Sequence, residues 1–147
     1  MVQMIKTYFI LIFLTFFNLH PSTIKAIETQ DTWNEVIEAI IEIESNGNPN
    51  AVSKCGNCIG AMQIKKIVVD DCNEYLKMKK SKRRFTYEDR LSIQKSKEMF
   101  YLIQERYNKT KNVEEAVRIW NGGCCYKKEK TEKYYQKFLK IYKGGRI

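Results

Sequence analysis

Apolar residues recur along most of the chain at helical spacing. Trp33, Ile37, Ile40 and Ile41 fall at i, i+4, i+7 and i+8, and Glu44 follows at i+11 on the same face. Glu35, Glu38 and Glu42 point away from that stripe, toward water. Asp31 or Thr32 supplies the expected N-cap, with Glu35 placed for a capping box. Ser45-Asn46-Gly47-Asn48-Pro49 breaks the helix directly after Glu44. Ile64, Ile67, Val68, Cys72, Tyr75 and Leu76 mark a second helix. Ile93, Met99, Phe100, Leu102, Ile103 and Tyr107 predict a long buried helix over residues 92–107. Asn112 with Glu114 and Glu115 is an N-cap and acidic first turn, opening a short helix that reaches about Trp120. A last helix begins near Thr131, burying Tyr134, Tyr135, Phe138, Leu139 and Tyr142 and turning Lys133, Lys137 and Lys140 outward. No strand hairpin and no repeat interrupts this series, so the expected fold class is mostly α.

The first 26 residues have a different pattern. Lys6 supplies a positive start, residues 8–17 are an apolar run, and Ile24-Lys25-Ala26 ends on a small residue. This reads as a secretory signal peptide over residues 1–26, leaving a single domain over residues 27–147. The apolar run falls short of the ~20 residues that a membrane-spanning helix needs. No cysteine follows it to carry a lipid anchor. The expected protein is secreted or periplasmic, touches a membrane only through its leader, and is monomeric. About 120 residues remain, enough for one ordinary core.

Removal of the leader changes the available chemistry. The only histidine of the chain is His20, so the mature protein contains none. Ser-His-Asp and Cys-His hydrolases and His-based zinc sites are thereby excluded. The mature chain carries 24 Lys and Arg against 17 Asp and Glu, and six of the eight residues 77–84 are basic. Such a run is either a solvated loop or an attraction for an anionic polymer such as cell-wall peptide carboxylates. No aromatic residues interleave it, so a nucleic-acid partner is not expected. Five cysteines, at 55, 58, 72, 124 and 125, leave at least one unpaired in an exported monomer. Cys55-x-x-Cys58 with Cys124 and Cys125 has zinc-ligand spacing, but an oxidising compartment competes for the thiols, and neither metal nor cofactor is expected.

What remains is chemistry that a carboxyl group performs alone. Glu44 ends an apolar face at the negative end of a helix, and both desolvation and the helix dipole raise a carboxyl pKa there. A carboxylic acid still protonated near neutral pH is what general-acid cleavage of a glycosidic bond requires.

Three ordered blocks sharpen this. Glu44-Ser45 precedes Asn48-Pro49-Asn50-Ala51 and Ser53; then come Gly60-Ala61-Met62-Gln63-Ile64 and, further on, Ile119-Trp120-Asn121-Gly122-Gly123. Together they resemble the soluble lytic transglycosylases of the lysozyme superfamily, whose pattern is E-S, N-P-x-A, a Ser, G-L-M-Q-I and A-Y-N-A-G. The resemblance covers nearly all of the chain after the leader and implies a lysozyme-like α fold with a catalytic cleft. It implies that Glu44 acts as acid and then base on the bond between N-acetylmuramic acid and N-acetylglucosamine in peptidoglycan glycan strands. The muramic C6 hydroxyl is the attacking group, which gives a 1,6-anhydro product and requires no second carboxylate. Ser53, Gln63, Trp120, Asn121 and Tyr134 match family positions beside the cleft, where they are expected to bind substrate. Ser53 reads equally well as a turn cap, and Trp120 as a core residue. The two cysteine-bearing loops line one cleft in the resembled fold, so a disulfide between them or a local Cys55–Cys58 bond is expected. Ala61 stands where the family has Leu, Lys130 where many members have Glu, and the loop before Gly60 is one residue longer. The alternatives are a muramidase hydrolysing the same bond, with Asp70 or Asp71 positioning water, and a non-catalytic wall-binding protein.

Overall fold

The computed structural model describes residues 21–144, with side chains described over residues 33–142. The expected leader's apolar run, with Lys6 and His20, lies outside the described residues. Two units divide the chain, residues 1–34 and 35–147. The described part of the first is helical; the second holds every candidate site residue.

Five α-helices account for most of the described chain: α1 (Pro21–Ser45), α2 (Lys66–Met78), α3 (Ile93–Tyr107), α4 (Val113–Gly122) and α5 (Lys128–Gly144). A 3₁₀ turn, Glu88–Leu91, precedes α3. No strand occurs among the described residues; isolated bridges join Ile59 to Val52 and to Ile64. The α class is as expected. Two boundaries are not. The first helix runs unbroken from Pro21 through Asp31 and Thr32, so neither is its cap. Residues 22–30 contain no Gly or Pro, so nothing in the local chemistry stops the helix there. The last helix starts at Lys128, a turn before Thr131.

Caps behave as the sequence implies. Ser92 accepts the Lys95 N–H at 3.3 Å and starts α3. Asn112 accepts the Glu115 N–H at 3.0 Å and starts α4. At the end of α1, Asn46 and Gly47 both take positive φ (53° and 80°), which turns the chain out of the helix.

The core of the second unit is built from Val36, Ile37, Ile40 and Ile41 of α1, Met99, Phe100 and Ile103 of α3, Ala116, Val117 and Ile119 of α4, and Phe138 of α5. Each large side chain buried there contributes ~1.5–3 kcal/mol relative to exposure. On α2 the buried face is Val69, Cys72 and Leu76, whereas Ile67 is 70% exposed. Cys72 and Leu76 are as expected, and the first turn differs: Val69 takes the buried place, so that α2 packs on α3 through positions i, i+3 and i+7 counted from Val69. Ile64 is buried, but from the loop ahead of the helix.

Part of the basic run is neutralised within the fold. Lys79 pairs with Glu105 and Arg83 with Glu98, both acids on α3. No helix among the described residues is long and apolar enough to cross a membrane.

Candidate active site

The apolar face of α1 carries Glu44 to a half-buried position three residues beyond buried Ile41. The following residue fixes that helix end in place. Ser45 Oγ donates to the Ala61 carbonyl at 2.8 Å, joining α1 to the loop over residues 60–64. That loop is built from backbone bonds. Gly60 N–H donates to Ala51 O at 2.8 Å, and Ile59 and Ile64 exchange N–H···O bonds at 3.1 and 2.9 Å. The Asn48-Pro49-Asn50-Ala51 block folds back on itself, with Asn48 Oδ1 accepting the Asn50 N–H at 2.9 Å and Asn48 O the Ala51 N–H at 3.3 Å.

Two residues explain the glycine and glutamine of the middle block. Gly60 has φ +83°, and a Cβ there would lie 1.8 Å from the Arg90 carbonyl oxygen. Only a hydrogen fits between the loop and the 3₁₀ turn. Gln63 also has positive φ (48°), and its Nε2 donates to Gly60 O at 3.0 Å and Ala51 O at 3.2 Å. Gln63 thus ties the loop to itself through its amide nitrogen.

Across from this loop, α5 presents Tyr134, whose hydroxyl donates to Glu44 Oε1 at 2.8 Å. The two residues are 90 positions apart in sequence. What holds Tyr134 there is one turn earlier on α5. Thr131 is buried; its hydroxyl accepts from Arg118 Nη1 at 3.0 Å and donates into the start of the helix. Gly122 permits the close approach, because a Cβ on it would lie 2.7 Å from the Thr131 methyl. Arg118 is the hub of the α4–α5 contact. It is 3% exposed, pairs with Glu114 at 2.8 Å and Glu132 at 2.7 Å, and lies over the Tyr135 ring at 4.5 Å. Neither Ser45 nor Arg118 was assigned a role from sequence. Their signals were faint: a Ser beside the acid, and a Glu four residues before an Arg.

The remaining candidates divide. Ser53 caps its own loop, accepting the Cys58 N–H at 3.0 Å and touching the Cys55 thiol at 3.4 Å. Trp120 is half-buried with its ring 5.4 Å from that of Phe100. Asn121 is exposed on the last turn of α4 and makes no hydrogen bond to Glu44. Of the six candidates, Glu44 and Tyr134 are in direct contact. Asp70 accepts from Tyr87 at 2.9 Å, and Asp71 from Arg106 at 2.7 Å and Tyr107 at 2.9 Å.

Burial and nearby charges act on Glu44 in opposite directions. Burial is the largest influence and raises its pKa above the ordinary glutamate value. The Tyr134 hydrogen bond and the Lys65 and Lys137 ammonium groups act in the opposite direction without cancelling it. Among the described residues the two charged groups that act on Glu44, Lys65 and Lys137, are both cations. Burial beside Glu44 likewise pushes the Tyr134 phenol far above its usual range, so it remains a donor at any working pH. With Oε1 engaged by that donor, Oε2 is the carboxyl oxygen left without a hydrogen-bond partner among the described residues.

A family model described as the Transglycosylase SLT domain matches residues 21–142. The chain belongs to this family. Transglycosylase SLT domains are lysozyme-like and act on peptidoglycan in the periplasm or cell wall. Nothing among curated proteins or solved structures matches the chain. The SLT domain here departs from expectation in its sulfur chemistry. All five cysteines are free thiols, with Cys124 Sγ and Cys125 Sγ 3.6 Å apart, well beyond a disulfide bond. Neither the expected bond between the two loops nor a local Cys55–Cys58 bond is present in this structure. Among the described residues no three His, Cys, Asp or Glu side chains gather at one point, so the four cysteines do not assemble a thiolate cluster.

Removing the Tyr134 hydroxyl separates its two roles. In Tyr134→Phe the bond that stabilises the Glu44 carboxylate is lost, so the alkaline limb of the pH–rate profile is expected to move to higher pH. Turnover should fall as well, because Oε1 is no longer held. A profile superimposable on that of the parent would show that the bond does not tune the acid.

Proposed function

We propose that the protein is a peptidoglycan lytic transglycosylase in which Glu44 is the single acid and base. The reading is carried by a desolvated carboxyl group whose Oε1 is held by Tyr134 and whose electrostatic neighbours are both cations. Protonated Oε2 delivers its proton to the glycosidic oxygen between muramic acid and glucosamine as that bond breaks. The resulting carboxylate, stabilised by Tyr134, Lys65 and Lys137, then takes the proton of the muramic C6 hydroxyl as that oxygen closes on C1. The proton returns to Glu44 and no water is consumed. Asp70 and Asp71 are engaged elsewhere, which favours this route over hydrolysis by a second carboxylate.

Incubation with purified sacculi tests the reading. Soluble muropeptides ending in 1,6-anhydro sugar, one water lighter than hydrolysis products, are expected. Reducing ends would make the enzyme a muramidase, and absence of soluble product a wall-binding protein.

The protein acts outside the cytoplasm as a monomer, after removal of residues 1–26. Cys55 is exposed, and its contact with Ser53 lowers its pKa, which favours the thiolate that enters disulfide exchange in an oxidising compartment. Intact mass of exported protein, with and without reduction, reads both points. A chain starting near Ile27 with one disulfide at Cys55 or Cys58 is expected. A chain retaining Met1, or five free thiols, would overturn the corresponding half.

A further inference from the structure

The five thiols differ in what surrounds them. Cys72 is buried and donates to the Met99 carbonyl at 3.7 Å. Burial pushes its pKa up to about 12, which withholds the thiolate that disulfide exchange needs. Cys55 touches Ser53 at 3.4 Å. The one thiol–thiol contact among the described residues is Cys124 with Cys125, at 3.6 Å.

A β-turn holds that pair. Gly123 O accepts the Tyr126 N–H at 3.2 Å, so the two cysteines are the central residues of the turn, and neither takes positive φ. The base of the turn is fixed between α4 and α5. A Cβ on Gly122 would lie 2.8 Å from Tyr126 Cβ and 2.7 Å from the Thr131 methyl. Both cysteines are exposed at the tip, where a soluble disulfide reaches them. Once one sulfur is engaged, the other is held beside it, and the second step is intramolecular. Backbone geometry sets how firmly the product holds. Consecutive Cα atoms lie ~3.8 Å apart across a trans peptide, whereas an unstrained disulfide spans ~4.4–6.8 Å. A bond closed between chain neighbours is strained, and strained, exposed disulfides are the readily reduced ones.

We propose that Cys124 and Cys125 form a reversible dithiol–disulfide couple, a modification site that takes low-molecular-weight disulfides. A thiolate of the pair attacks the small disulfide, forming a mixed disulfide and releasing one thiolate. The neighbouring thiolate then attacks the protein sulfur of that bond, closes the vicinal disulfide and releases the second. Two protein thiols are oxidised, one small disulfide is reduced to two thiols, and the two protons pass to the leaving thiolates. Cys55 and Cys58 are left to each other, and Cys72 is the odd thiol of the five. The couple is independent of what the enzyme cleaves.

Folded, fully reduced protein is treated with excess oxidised glutathione, alkylated, and cleaved after Lys and Arg. Cys124 and Cys125 then fall in one fragment, residues 119–127, and Cys55 and Cys58 in another, residues 55–65. The 119–127 fragment is expected to be lighter by two hydrogen atoms, free of glutathione and closed to alkylation. In Cys125→Ser the same fragment should carry one glutathione, because no neighbour displaces it, and the melting curve should not move. Reduced glutathione without denaturant should reopen the bond in the parent, a treatment that structural disulfides resist. Glutathione retained on the parent fragment, two thiols still open to alkylation, or the 119–127 and 55–65 fragments joined to each other would overturn the couple. A bond that reduced glutathione leaves closed would overturn its reversibility.

Discussion

Glu44→Gln is expected to lower turnover ~10²–10⁴-fold, the usual contribution of a positioned acid or base. In barrier terms this is about 3–5 kcal/mol. The amide preserves shape, so packing of the α1 face survives, and its oxygen still accepts from Tyr134. It cannot carry the proton that Oε2 delivers, and the leaving sugar then departs as a poor alkoxide. Binding to sacculi should therefore persist while release of muropeptides stops. Stability distinguishes this from misfolding. Burial raises Glu44 above its ordinary pKa, so the folded chain retains a proton that the unfolded chain has already lost. Stability from this group is fully present below the ordinary glutamate value and is lost as pH rises through the raised one. The Gln variant lacks that loss. Its melting temperature near neutral pH should equal or exceed that of the parent, and near-parent activity would show that another residue is the acid.

Gly60→Ala is expected to have the largest effect on folding. The added methyl would stand 1.8 Å from Arg90 O and 2.9 Å from its carbonyl carbon, both backbone atoms that no rotamer change can move. Positive φ adds ~1–2 kcal/mol for a non-glycine residue. The 3₁₀ turn must separate from the loop, and a loss above ~4 kcal/mol is expected, the range reserved for severe core damage. A melting temperature lower by ~15 °C, or failure to fold, follows. Gly56 is the internal control: its φ is +72°, but an added Cβ meets nothing within 4 Å. Gly56→Ala should show only the backbone cost. Equal melting of the two variants would show that the contact with Arg90 is not what requires glycine at position 60.

These two residues illustrate what was local and what was not. Glu44 was legible because the periodicity that buries Ile37, Ile40 and Ile41 also dictates where i+3 from Ile41 must point, and a helix breaker follows directly. The caps at Ser92 and Asn112 were legible for the same reason: a cap is satisfied within three residues of itself. By contrast, the stripe on α2 was legible at Cys72 and Leu76 but not in its first turn, where Val69 is buried and Ile67 is not. Ile67 and Val69 are alike in hydrophobicity, and only packing on α3 selects which is buried. The helical stretch ahead of Asp31 was missed because a good N-cap residue inside a run of helix formers does not itself stop a helix.

The sequence by itself determined the α class, the helix that delivers Glu44 and the family resemblance. Tertiary structure alone decided what surrounds the acid. The partner of Glu44 lies 90 residues away on α5, placed by Thr131 against Gly122 and by the buried Arg118. The requirement for glycine at position 60 comes from a carbonyl 30 residues later. The loop bonds of Gln63 and Ser53 are also tertiary detail: Gln63 Nε2 is tied to the carbonyls of Gly60 and Ala51, and Ser53 takes the turn-cap place that was one of its two readings. Periodicity encodes the direction of a side chain from its own helix. Which group occupies the space in that direction depends on contacts between distant segments, and those form only when the chain packs.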